Sequence, residues 1–137
     1  MFAVKVSTDG TIERLDFDTS DTLKFLQTQV DGLIEHIGLP FVNLDAWGND
    51  EAAIVAEPEW NVVATGALLS LGWPARFYGP LVFTGGADDA GNTLGLPEEQ
   101  ADDLEGFLEQ TAAEIQYRPD MTEAESVAAL GRLGWKV

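Results

Sequence analysis

The segment from Glu98 to Tyr117 constrains this chain most, because Ala101, Leu104, Leu108, Ala112 and Ile115 fall on one stripe at helical spacing with Phe107 beside them. Pro97 stands where a helix begins, since a first-turn residue has no use for its missing N–H. A helix of this length, roughly 30 Å at its fixed rise, has to bury that stripe against the rest of the chain. The other segments must therefore supply an apolar surface.

They read as strands and short helices. Val4, Val6, Ile12, Leu15 and Phe17 alternate with polar neighbours between Phe2 and Asp18, and Thr8-Asp9-Gly10 interrupts them with a tight-turn signal, which predicts a hairpin. Thr19-Ser20-Asp21 offers helix caps ahead of Leu23, Leu26 and Val30, and this helix is expected to stop at Gly32, before a strand from Leu33 to Ile37. Phe41 to Trp47 reads as a strand, Gly48-Asn49-Asp50 as a turn and Ala52 to Val55 as its return, which puts Trp47 at a hairpin tip. Trp60 to Leu71 is apolar nearly all round and fits a buried helix, bracketed by Trp60 and Trp73; Tyr78 to Thr84 is a strand with Pro80 near its start. Residues 85–97 are expected to form a mobile acidic loop. Thr122 and Glu125 form a capping box for a last short helix in a C-terminal extension, residues 118–137, with Trp135 pinning the tail. The expected architecture is a single α+β domain over residues 1–137: antiparallel hairpins and a small mixed sheet with three to four helices, one of them acidic and near the C-terminus.

Charge narrows the partners. The chain carries 24 Asp and Glu against 7 Lys and Arg, a net charge of −17, and half of the acids lie between Asp88 and Glu125, where Arg118 is the only base. Such a field repels nucleic-acid phosphates and anionic membranes and attracts basic protein surfaces. A hydrophobic fraction of 45% is enough for an ordered core despite that charge. The absence of cysteine removes disulfides, thiolate metal sites and cysteine nucleophiles. Met-Phe-Ala-Val-Lys-Val lacks the apolar core of a signal peptide, and no run approaches the ~18 apolar residues of a membrane span, so a cytoplasmic location is expected.

Catalytic signatures are scarce. His36 is the sole histidine, and neither a nucleophile elbow nor a phosphate-binding loop is present, so no catalytic residue, cofactor or metal site is expected. Asp45, Asp50, Glu51, Glu57 and Glu59 are the candidates for a carboxylate-based enzyme, although nothing singles out a pair. Asp88-Asp89-Ala90-Gly91-Asn92 lacks the spacing of a calcium loop and reads as a solvated turn. The acidic helix says more. Glu98, Asp102, Glu105 and Glu109 follow one another at spacings of four, three and four, an outward anionic ridge that Glu99 and Asp103 widen. A ridge of that kind suits a basic protein patch and coarsely imitates a phosphate backbone, the device of a DNA mimic facing a DNA-binding protein. Trp47, exposed at a tip, would serve as an interface anchor. The competing readings are a small carboxylate enzyme and an oligomerising structural domain whose charge serves solubility or high salt.

The runs Leu26-Gln27-Thr28-Gln29-Val30-Asp31-Gly32-Leu33-Ile34-Glu35, Asn49-Asp50-Glu51, Asn61-Val62-Val63-Ala64-Thr65, Gly79-Pro80-Leu81-Val82-Phe83 and Gly91-Asn92-Thr93-Leu94-Gly95-Leu96, the last leading to Glu98-Glu99-Gln100, complete the picture. In this order they resemble a family of small proteins of unknown function carried by bacteriophages and plasmids. The sequence departs from that family in having Val30-Asp31-Gly32 where a Val-Gly-Gly type of turn is usual, and in its segment after Arg118. The resemblance assigns no residue a role. It implies a setting of mobile elements and viruses, where small accessory proteins often bind and inhibit host machinery.

Overall fold

The first hairpin closes as its turn residues dictate: Gly10 takes φ 86° and donates to Ser7 O at 2.9 Å, while Asp9 Oδ1 accepts from Thr11 N at 3.0 Å. Its strands are β1 (Phe2–Val6) and β2 (Ile12–Asp16), paired from Phe2 opposite Asp16 to Val6 opposite Ile12. A computed structural model describes residues 1–136 and continues with α1 (Thr22–Val30), β3 (Ile34–Leu39), β4 (Leu44–Asn49), α2 (Val62–Ser70), β5 (Leu81–Gly85), α3 (Glu98–Glu114) and α4 (Glu123–Gly131). The strands form one sheet in the order β2-β1-β5-β4-β3. Where sequence allowed a mixed sheet, every pairing is antiparallel. The result is a single α+β domain.

Strand alternation sorts the apolar residues onto two faces. Val4, Val6, Ile37, Leu39, Ala46, Leu81 and Phe83 join one cluster with α2, α3 and α4, through Val63, Leu68, Leu104, Leu108, Ile115 and Leu130. Ala3 and Val82 turn the other way and pack with Phe17 and with Leu26 and Val30 of α1. Leu23, the third member of the expected α1 stripe, is exposed, because that helix covers the sheet with a narrow face.

Asn61 joins three elements. Fully buried, it caps α2 by accepting from Ala64 N at 3.0 Å, and its Nδ2 donates to Val6 O at 3.0 Å and Gly79 O at 2.9 Å. α1 stops one residue before Gly32, with Asp31 at φ 58° in the left-handed region. Asn49 Nδ2 offsets that strain by donating to the end carbonyls of Val30 (3.0 Å) and Asp31 (3.2 Å). Glycine at 31 would take this conformation freely.

The central hairpin is corrected. Pro40–Val42 form a 3-10 turn, Asn43 at φ 52° breaks the extended chain, and β4 starts only at Leu44. The strand then runs through Gly48, which is not a turn glycine: a Cβ there would lie 2.5 Å from Phe77 Cζ. Residues 52–55 make successive turns, with Ala52 N donating to Asn49 O and Ile54 N to Glu51 O, and β4 pairs with β3 and β5 instead. At the far end α3 stops at Glu114, short of Tyr117, since Gln116 takes φ 51°. Within residues 85–97, bridges join Ala87 to Thr93 and Leu96 to Phe2, and Leu96 is fully buried.

Asn61→Ala should cost roughly 2–4 kcal/mol, because it removes a helix cap and leaves two buried carbonyls unpaired. A fall in the urea midpoint at unchanged slope would register it.

Candidate functional site

α3 lies across β1 and β2 with Ala101, Leu104 and Leu108 turned inward, so its carboxylates project to the outer side. Glu98, Glu99, Asp102, Asp103 and Glu109 are exposed, and Glu105 is half-buried. The row is interrupted at its middle. Arg14, on the α3 side of β2, forks onto both oxygens of Glu105, with Nε at 3.3 Å from Oε1, and its Nη2 also binds Asp102. The two carboxylates raise the guanidinium pKa above its ordinary value, Glu105 contributing most. The same guanidinium lies 5.2 Å from the Phe2 ring centroid. Within the ridge expected from spacing, Asp102 and Glu105 thus share one guanidinium and keep a single net negative charge between them, while Glu98, Glu99 and Asp103 at one end and Glu109 at the other lie outside that pairing.

On its opposite flank α3 borders a groove of about 340 Å³ lined by Val42, Asn43, Leu44, Leu71, Gln100, Asp103, Leu104 and Phe107. Asp103 belongs both to the acidic face and to this mostly apolar groove. Nothing in sequence pointed to the groove, because its walls come from three separated segments.

Trp47 is displaced from its expected place at a tip. It sits within β4 opposite His36 and Val82, half-buried beside the α1 cluster, and its Nε1 donates to Thr84 Oγ1 at 2.9 Å. The His36 ring packs 4.6 Å from the Trp47 ring, and His36 Nε2 meets Asp45 Oδ1 at 2.9 Å. The five central carboxylates do not converge: Asp45 engages His36, Asp50 and Glu51 occupy an exposed turn, and Glu57 and Glu59 line a separate cleft with Lys5 and Asp31. Asp88 serves its own loop, accepting from Ala90 N and Asn92 N at 2.9 Å each, and these backbone donors, Asn92 first, hold its carboxyl below the usual range.

A further cleft of about 400 Å³ was not foreseen; Trp60, Arg76, Tyr78, Tyr117, Arg118 and Ser126 are among its walls. Its cations are already engaged. Arg76 stacks 3.9 Å from the Trp60 centroid and binds Glu123 at 2.7 Å, while Arg118 binds Glu125 at 2.9 Å and Asp120 at 3.3 Å. Trp135 packs 5.8 Å from Trp60, so this cleft stitches the tail to the domain. Among the described residues no group of His, Asp and Glu is arranged to hold a metal ion, and no helix is long and apolar enough to cross a membrane.

A family model described as a domain of unknown function (DUF3846) matches residues 1–109. The chain belongs to that family. No curated protein and no solved structure matches it. The DUF3846 match takes in all five strands, Arg14, the groove and six of the seven carboxylates of α3. The Arg76 cleft, by contrast, needs Tyr117, Arg118 and Ser126 from the residues that follow. Those residues still share the DUF3846 core, since Ile115, Ala129 and Leu130 are buried in the same cluster as β1 and β5.

Arg14→Met should lower the thermal midpoint at low salt, with a deficit that shrinks as salt screens Asp102 from Glu105; calorimetry at two ionic strengths checks it. The capping-box Glu125 supplies a pH dependence. Hydrogen bonds from the Thr122 backbone and hydroxyl, then from Arg118, depress its carboxyl pKa below the usual glutamate value. Its contribution is thus present above the unfolded-state pKa and lost as pH falls through the folded one. Glu125→Gln should flatten the acid limb of denaturation midpoint against pH, relative to the wild type.

Proposed function

We propose that this DUF3846 protein is a non-enzymatic binding protein that holds a basic surface of another protein against α3. One observation carries the reading: seven carboxylates stand on that helix against the single guanidinium of Arg14, and one of them, Asp103, edges an apolar groove. A partner patch with Lys or Arg beside an apolar side chain complements both parts. A duplex imitation is less well supported, because Arg14 halves the charge at the middle of the row and the neighbouring groove has no counterpart in a phosphate backbone. The similar family of bacteriophage and plasmid proteins fits an accessory protein that engages host machinery in the cytoplasm.

Reversing Asp102 or Glu105 would strip Arg14 of its partners and confuse folding with binding. The better variant combines Glu98→Gln, Glu99→Gln, Asp103→Lys and Glu109→Lys, which spares Arg14 and places no cation on the first helical turn. Its thermal midpoint should stay near that of the wild type. Capture of a basic protein from the cognate lysate should be lost in the variant, and in the wild type should fall steeply toward ~1 M salt, where the Debye length is ~3 Å. Undiminished capture by the variant would reject the proposal.

A further inference from the structure

The two edges of the sheet are unlike. β2 carries Glu13, Arg14 and Asp16 within five residues, and Arg14 is bound to α3. β3 lies in the stretch 32–44, which holds one acid, Glu35, in a chain that has 24. Asp50 N donates to Leu33 O at 2.8 Å, and Ile34 faces Asn49, so the backbone groups of odd-numbered residues point at β4. Those of Ile34, His36 and Gly38 point outward. Beyond the ends of the strand, Leu33 is 58% and Phe41 98% exposed. Unpaired backbone groups, little charge and exposed apolar side chains mark an edge that natural sheets otherwise cover or blunt.

We propose that β3 pairs antiparallel with β3 of a second copy about a twofold axis at Ile37, joining two sheets into one. In that register His36 faces Gly38 of the second copy, and the outward N–H and C=O groups of these two residues exchange hydrogen bonds. Glu35 faces Leu39, so the pairing spans β3 up to its last residue, ahead of the 3-10 turn at Pro40–Val42. Neighbouring registers are worse: an axis at Glu35 sets two carboxylates face to face, an axis at His36 opposes two imidazoles, and a slip of one residue puts opposite faces together. The charge-poor edge is also where two chains of −17 can approach with least repulsion. Self-association accordingly strengthens with salt, the reverse of binding through α3.

The lack of cysteine gives a clean test. The double variant His36→Cys/Gly38→Cys, whose two positions face each other across the proposed pairing, should form a disulfide-linked dimer under mild oxidation, and each single variant should remain uncross-linked. Within one chain the two Cβ atoms lie two strand residues apart, roughly 7 Å, beyond the ~4 Å that a disulfide needs, so no internal bridge competes. Sedimentation equilibrium of the wild type should show an association constant about tenfold higher at ~1 M salt than at low salt. A double variant that fails to cross-link, a His36→Cys variant that cross-links instead, or a wild type monomeric at both salt levels would overturn the proposal.

Discussion

Everything else in this domain depends on covering β5, whose five residues are all buried. A central strand of that kind needs apolar layers on both sides, and the chain supplies α1 on one and α2, α3 and α4 on the other. The long acidic helix is thereby fixed over β1 and β2, and the fold, not the helix alone, decides which carboxylates see solvent and which meet Arg14. Asn61 holds the arrangement together where α2, β1 and the approach to β5 meet; its three hydrogen bonds satisfy groups that no secondary structure would otherwise reach.

A charge of −17 is accommodated because the scarce arginines are spent across elements. Arg14 ties β2 to α3, Arg76 ties Trp60 to α4, Arg118 ties the end of α3 to the capping box, and Arg132 Nη1 donates to Ile115 O at 3.4 Å. Exposed ion pairs contribute at most about 1 kcal/mol each, so their effect lies in placement more than in stability. They leave the acid excess outward on α3 and in the loops, and β3 nearly uncharged. The molecule thus has two contrasting surfaces, one anionic beside an apolar groove and one strand edge nearly free of charge.

Local rules made much of this legible. The β1–β2 hairpin, the cap and stop of α1, the all-apolar α2, the stripe of α3 and the Thr122–Glu125 box follow from interactions between residues a few positions apart, and each lies where periodicity or capping put it. The central hairpin misled because Gly48 looked like a turn residue; it is glycine because Phe77, far along the chain, packs against its Cα. Trp47 was taken for a tip residue for the same reason.

The candidate site divides the same way. That α3 is a helix with acids on its outer side was determined by the sequence alone, since helical spacing and apolar burial are properties of one segment. That Arg14 halves the charge at the middle of the row, that Val42, Leu44 and Leu71 wall a groove beside Asp103, and that β3 rather than β2 is the bare edge were decided only by tertiary structure. Each depends on strand order, and strand order is set by which distant segments can jointly bury β5, a condition no local window of residues contains.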